Sequence, residues 1–557
     1  MALFKLIIKI RERMIMKKLL SLLVIGVMLF TLGTPAYAAT LTSWWSTIPV
    51  VSIAGDGEPL YDGNGNQIFK TTDILKGMTG DDEDSDVMGA VANVLYPFLV
   101  EGMLFDKWDN YYINLYEEIA DIFEDSLLTK DGEPKDGSGL SEERKKEVAE
   151  NLKKDAKEEW GCYLDWNYKF HYDWRLDPLT IADQFKDYID AVKEVTGAEK
   201  IAITGLCLGT NVILAYVSKY GTDDIYGLGL NGSTVNGMEP ISEAISGKIA
   251  LDGNSIMRLL IDCNVYNVME VNDFILKTVD LANKSGLIGA VSGFTESELY
   301  EKLEKGVTSA LARASVLTWP GYWATVKKDD FETAKEYVFG PEGSELRKEY
   351  AGLIKKLDDY HTNVRMRIPE LLSQVKNSGA NLAIIAKYGC QMIPLTESQT
   401  LVADQFASVN SASFGATTST VYDTLSEDYI AGRVSEGKGK YISPDKQIDA
   451  STCLFPDNTW FIKGNKHSNW SVWETQLLYT VTTSGQPLTI DDFDFGQYVV
   501  YEKESNFAVK MTEENCHIEA WEADKEKDYP TSILTRIKNF FEAFIAWIKA
   551  LFEFASK

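Results

Sequence analysis

The chain has 557 residues, 45% hydrophobic and 25% charged, enough for one large domain with insertions or for two to three domains. Its formal net charge of -28 argues against nucleic acid and anionic lipid headgroups as bulk electrostatic partners. Six widely spaced cysteines, none in a CxxC pair, are too few for a disulfide scaffold and suggest no zinc site, so neither metal nor cofactor is expected.

Lys17 and Lys18 precede an apolar run over residues 19–32, and Pro35 with Ala36-Tyr37-Ala38 supplies a small-residue cleavage site. Residues 1–38 therefore read as an export signal, and a secreted or cell-envelope location is expected. The alternative, an uncleaved anchor, needs roughly 20 apolar residues to span a bilayer.

Residues 39–236 form the first part of an expected α/β core. An apolar strand over residues 48–54 ends in Gly55-Asp56-Gly57, and a turn follows at Asp62-Gly63-Asn64-Gly65-Asn66. Helical periodicity covers residues 87–127, and the charged stretch 129–158 reads as an exposed loop with a solvated helix. Strands at 168–172, 200–204 and 224–230 then alternate with helices at 178–196 and 208–220. That alternation implies a parallel sheet covered on both faces.

Between the strand at 200–204 and its helix lies Gly205-Leu206-Cys207-Leu208-Gly209, which matches the G-x-S-x-G nucleophile elbow with cysteine in place of serine. The bend is so tight that a Cβ on either flank would collide with the neighbouring strand or helix, which accounts for both glycines. Cys207 would stand at a helix N-terminus, whose partial positive charge and free N–H groups favour a thiolate. The bland alternative is a core cysteine beside packing glycines. An elbow also needs an oxyanion hole. The amide of Leu208 is one expected donor, and the amide of Asp56, in the loop after the first strand, is the other.

Residues 237–376 are almost wholly helical, interrupted by Trp319-Pro320-Gly321, and read as a cap inserted into the sheet. Residues 377–528 carry the second part of the core, with strands at 381–387 and 459–462, and a C-terminal extension. Residues 529–557 place Ile533, Ile537, Phe540, Phe541, Phe544, Ile548 and Leu551 at helical spacing, an amphipathic helix suited equally to a membrane surface or to a protein partner.

Only four histidines compete for the role of base. In this fold the acid and histidine follow the nucleophile, which excludes His171. His361 falls in a cap helix and His517 in an acidic stretch; His467 follows a strand end, where catalytic groups of open α/β sheets gather. His467 is the expected base, with His517 as runner-up. The acid should follow the strand at 381–387, which selects Asp404 over the competitors Asp445 and Asp449.

Tyr172-Asp173-Trp174-Arg175, ahead of the elbow, resembles the Y-D-W-R signature of the lecithin:cholesterol acyltransferase and phospholipid:diacylglycerol acyltransferase group of lipase-like α/β-hydrolases. Trp319-Pro320-Gly321-Tyr322-Trp323 is similar to an aromatic cap segment of that group. Asp404 with Ser411 and Gly415 resembles its acid loop, with Gln405 where the group has glycine. The group's nucleophile is serine, and Thr210 stands where many members carry a second glycine. The cysteine elbow also resembles that of dienelactone hydrolases and polyhydroxyalkanoate synthases.

The resemblance implies acyl transfer on esters, lipid esters among them, with Cys207, His467 and Asp404 as the triad; separately, the tail's spacing suits membrane-surface contact or a protein partner, and the net charge excludes a nucleic acid partner. Two alternatives stand beside it. One is a catalytically inactive hydrolase fold that binds at the cell envelope; the other is an acyl-polymer synthase, which needs thioester substrates.

Overall fold

The computed structural model describes residues 45–69, 97–152, 163–249 and 298–516, with short gaps inside those ranges. The expected export signal, the tail helix at 529–557, His517 and the middle of the cap lie outside the described residues.

Eight strands pair into one sheet: β1 (Val50–Ile53), β2 (Tyr168–Phe170), β3 (Ile201–Leu206), β4 (Ile225–Asn231), β5 (Asn381–Tyr388), β6 (Thr459–Lys463), β7 (Tyr498–Glu502) and β8 (Phe507–Lys510). Their order is β8-β7-β6-β5-β4-β3-β1-β2. Every neighbouring pair is parallel except β7 with β8. Central strands are apolar without alternation because both faces are covered, and every residue of β3 and of β5 is buried. Along β5, Leu382 and Ile384 enter one core, while Ala383 and Ile385 enter another on the opposite face. This is an α/β fold with a mainly parallel sheet, in the arrangement of an α/β-hydrolase.

Two crossover helices bracket the elbow strand. Helix α1 (Pro178–Thr196) starts where Asp177 accepts hydrogen bonds from the amides of Leu179 and Thr180, with Pro178 in its first turn. It stops at Gly197, whose φ of 67° gives a left-handed cap. Helix α2 (Gly209–Tyr220) follows the elbow and packs on α1. Between β4 and β5 the chain forms α3 (Glu239–Ser246), α4 (Pro320–Trp323), α5 (Phe331–Phe339), α6 (Ala351–Asn363) and α7 (Ile368–Asn377). Helix α7 packs on α2 and β5, whereas α8 (Val472–Thr482) lies against β4 and β5.

The strand order fixes where a ligand can sit. From β1 the chain crosses to β2 on one side, and β3 returns to the other side of β1. The chain therefore leaves β1 and β3 in opposite directions at their carboxyl ends, the usual place for a ligand in open α/β sheets. No helix among the described residues is long and apolar enough to cross a membrane.

Candidate active site

The elbow has the strain its sequence implies. Cys207 stands at the carboxyl end of β3 with φ of 52°, a left-handed conformation rare for a residue with a side chain. The bend is tied down on both sides: the Cys207 amide donates to Asn231 O at 3.2 Å, and its carbonyl accepts from Thr210 N and Thr210 Oγ1. The Thr210 that replaces a glycine of the resembled group thus anchors the turn. Asn211 is buried one residue on, joined to Thr234 Oγ1 at 2.8 Å and to Tyr360 of α6 at 2.9 Å.

Cys207 is a free thiol, 8% exposed. The loop after β1 passes directly over it: a Cβ on Gly55 would stand 3.0 Å from Cys207 Cβ, 3.3 Å from its Sγ and 3.7 Å from the Leu208 amide nitrogen. Both expected oxyanion donors therefore belong to segments that meet at the sulfur. Leu208 directly follows the nucleophile, and Asp56 directly follows Gly55. The Asp56 carboxylate accepts a hydrogen bond from Tyr322.

The structure brings Asp404 and His467 together. His467 Nδ1 lies 2.7 Å from Asp404 Oδ2, and the His467 amide donates to the Asp404 carbonyl at 3.0 Å. The other carboxylate oxygen of Asp404 accepts from the amides of Ala407 at 2.8 Å and Phe406 at 3.2 Å. Both residues are buried, Asp404 fully and His467 at 4% exposure. Burial opposes a charge on the imidazole, but the neighbouring Asp404 carboxylate and the Cys207 thiol outweigh it, so the His467 pKa lies well above its ordinary range. Nε2 is buried without a partner of ordinary hydrogen-bond geometry, although Cys207 is close enough to interact with the ring loosely.

The competing residues are engaged elsewhere. Asp445 pairs with Lys463 at 2.8 Å and accepts from Tyr388, and Asp449 accepts from Tyr429 and pairs with Arg433. His361 stacks on Phe331, and His171 meets Glu58. Gln405, where the resembled group has glycine, takes φ of 98°.

The two aromatic motifs pack on each other above the elbow. The Gly321 amide donates to Arg175 O at 3.0 Å, and Trp174, Trp319 and Tyr322 form a cluster with ring centroids 5.1 to 5.6 Å apart. Arg175 is fully buried and serves structure: it grips Asp173, Ser126 O and Ser138. The hydroxyl of Tyr172 donates to Ala54 O at 2.9 Å. Burial first pushes the pKa of both Tyr172 and Tyr322 well above the ordinary phenol value, helped next by Cys207 at Tyr172 and by Asp56 at Tyr322.

Glu239 escaped the sequence reading. It is fully buried at the start of α3 and accepts from Ser408 N, Ser408 Oγ and Ser411 Oγ, while Lys327 stands 3.1 Å away. The acid loop is thus held to a helix more than 160 residues earlier. A carboxylate before a proline at a helix start was the local signal, but its partners were not local. Among the described residues no group of three or more His, Cys, Asp or Glu side chains is arranged to hold a metal.

No protein-family model matches the chain, and no curated protein matches it. Among solved structures it is similar to the crystal structure of the Tle4–Tli4 complex, with 11% identity and a TM-score of 0.29, over 78% of this chain and 98% of that one. The fold assignment rests on the strand order and its crossovers.

Proposed function

We propose that the chain is a lipase-like hydrolase or acyltransferase that acts on esters, lipid esters among them, through a covalent acyl-enzyme on Cys207. The observation that carries this reading is the 2.7 Å contact of His467 Nδ1 with Asp404, with the Cys207 thiol beside the same ring. His467 takes the thiol proton, or the pair rests as thiolate and imidazolium. The sulfur attacks the ester carbonyl, and the amides of Leu208 and Asp56 hold the oxyanion. The imidazolium returns its proton to the departing alkoxide. Water or an acceptor alcohol, deprotonated by His467, then attacks the thioester and frees Cys207. Asp404 orients the ring and stabilises its charged form throughout.

In this reading residues 39–236 and 377–528 supply the catalytic sheet, and the cap at 237–376 supplies the acyl pocket. Export through residues 1–38 gives a secreted or envelope location, and the amphipathic pattern of residues 529–557 suits a membrane surface or a protein partner.

A second reading, an inactive fold that binds at the envelope, is favoured by the low exposure of Cys207 and His467. A panel of chromogenic esters and thioesters, run on wild type, Cys207→Ala and Cys207→Ser, separates the two. Cys207→Ala is expected to abolish turnover and covalent trapping by an alkylating probe; turnover unchanged in that variant overturns the triad.

A further inference from the structure

Lys387 lies near the end of β5, in register with Ile462 of β6, and its ammonium is fully buried. It points beyond β6 into the loop that carries His467. Its Nζ donates to the backbone carbonyls of His467 at 3.0 Å, of Lys466 at 3.3 Å and of Asn469. Glu474 Oε1, also fully buried, stands 2.9 Å away. The other oxygen of Glu474 accepts from Asn465 Nδ2 at 2.7 Å and from the Ser471 amide at 2.6 Å, which closes the capping box of α8. Asn469 Nδ2 donates to Asn465 Oδ1 at 2.6 Å, and the Gly464 amide to Tyr388 O at 2.7 Å.

Three carbonyls of one short loop converge where water is excluded. Each needs a donor, because an unsatisfied buried carbonyl costs about 1–3 kcal/mol. An ammonium offers three N–H groups from a single point, which a neutral side chain of similar length does not. It also brings a charge into the interior, and Glu474 balances it. Strand β5 therefore grips His467 twice. The loop that follows it carries Asp404 to the ring, and Lys387 holds the ring's own backbone.

We infer that Lys387, with Glu474 as its counter-charge, is a positioning residue that sets the His467 imidazole against Cys207. The inference rests on the reading of Cys207 and His467 as nucleophile and base. Displacement of a reacting group by about 1 Å can cost about 100-fold in rate.

The test follows modification of Cys207 by iodoacetamide, read by mass spectrometry of its peptide, across neutral and alkaline pH in the full chain. Wild type, His467→Ala, Lys387→Met and the double variant Lys387→Met/Glu474→Met are compared, with thermal melting as the check on folding. Removing both charges together avoids leaving either one buried and unpaired. The expected result is a folded double variant whose Cys207 reacts about 10- to 100-fold more slowly than wild type, with a pH profile moved toward that of His467→Ala. A folded double variant with the wild-type rate and profile overturns the positioning role and leaves the nucleophile–base reading standing. A double variant that fails to fold also overturns it, since the pair then serves the fold and not the ring. A His467→Ala rate equal to wild type overturns the nucleophile–base reading, and this inference with it.

Discussion

A methyl group on Gly209 would stand 2.6 Å from the carbonyl oxygen of Ile53, on the strand beside the elbow. A methyl on Gly205 would stand 2.5 Å from Ile213 Cδ1, the free end of a flexible side chain. The two glycines flank the same cysteine but are fixed by obstacles of different stiffness. Backbone paired on both sides in a sheet cannot retreat without breaking its ladder, whereas an isoleucine terminus can rotate away. Gly209→Ala is expected to cost about 3 kcal/mol of unfolding free energy and Gly205→Ala about 1 kcal/mol, measured by urea denaturation. Equal costs would mean that the sheet edge above the elbow yields as easily as a side chain.

These local constraints are what made the first half of the site legible. Residue types near Cys207 are dictated by neighbours a few positions away, so the elbow, the helix over residues 178–196 and the strands around them follow from pattern alone. The acid was harder. Seventy residues separate the end of β5 from the start of β6, and Asp404, Asp445 and Asp449 all lie between them. What distinguishes them is visible only in three dimensions: Asp404 meets His467, whereas Asp445 pairs with Lys463 and Asp449 with Arg433. Strands β7 and β8 were missed because they form the end of the sheet, where they are partly exposed, and flank the polar turn 503–506. Glu239 and Lys387 were invisible as site residues because what defines them is a partner far along the chain. The one trace of Lys387 was a charge directly after the apolar run Ile384-Ile385-Ala386.

Gln405 occupies φ of 98°, a conformation that costs a side-chain-bearing residue of order 1–3 kcal/mol and glycine far less. The backbone there cannot relax, because Asp404 Oδ1 accepts from the next two amides, those of Phe406 and Ala407. Gln405→Gly is expected to stabilise the fold by about 1 kcal/mol after the entropic cost of glycine, read as a raised urea midpoint. A lowered midpoint would show that the glutamine side chain makes contacts that outweigh the strain.

The Asp404 carboxylate sets the charge state of His467. Burial alone would drive the imidazole neutral; Asp404 and Cys207 reverse this and raise its pKa well above the ordinary range. In Asp404→Asn that compensation is removed and the desolvation remains, so the His467 pKa is expected to fall. The rate of ester cleavage should drop by about 1,000-fold or more, and its alkaline limb should move to lower pH. The sign for stability follows from the same shift. A raised folded pKa contributes stability in full below about pH 6.5 and loses it as pH rises through the raised value. The stability gap between wild type and Asp404→Asn should therefore narrow toward alkaline pH. A gap that widens there would place the proton on a different group.

Glu243 offers a second pH dependence, outside the triad. It lies on α3, one turn beyond Glu239, and accepts from the Ser398 amide at 3.1 Å and from the Ser398 hydroxyl. Burial is the main cause that raises its pKa from 4.5 to about 7, aided by Glu397 and Glu239 and opposed by the bonds from Ser398. Lys248, the nearby cation, is held by Asp330 at 2.6 Å. A carboxyl raised on folding contributes stability in full below its unfolded pKa, so the contribution is lost as pH climbs from 4.5 to about 7. Above that range the wild-type chain must either carry a desolvated charge or open the contact between α3 and the 396–398 turn. Gln at this position keeps an acceptor for the Ser398 amide and carries no charge. Glu243→Gln is therefore expected to match wild type near pH 4.5 and to exceed it by about 1–3 kcal/mol above pH 7, measured by urea denaturation at several pH values. Wild type as stable as the variant at the higher pH would mean that water reaches this carboxylate and that α3 is already lifted from the acid loop.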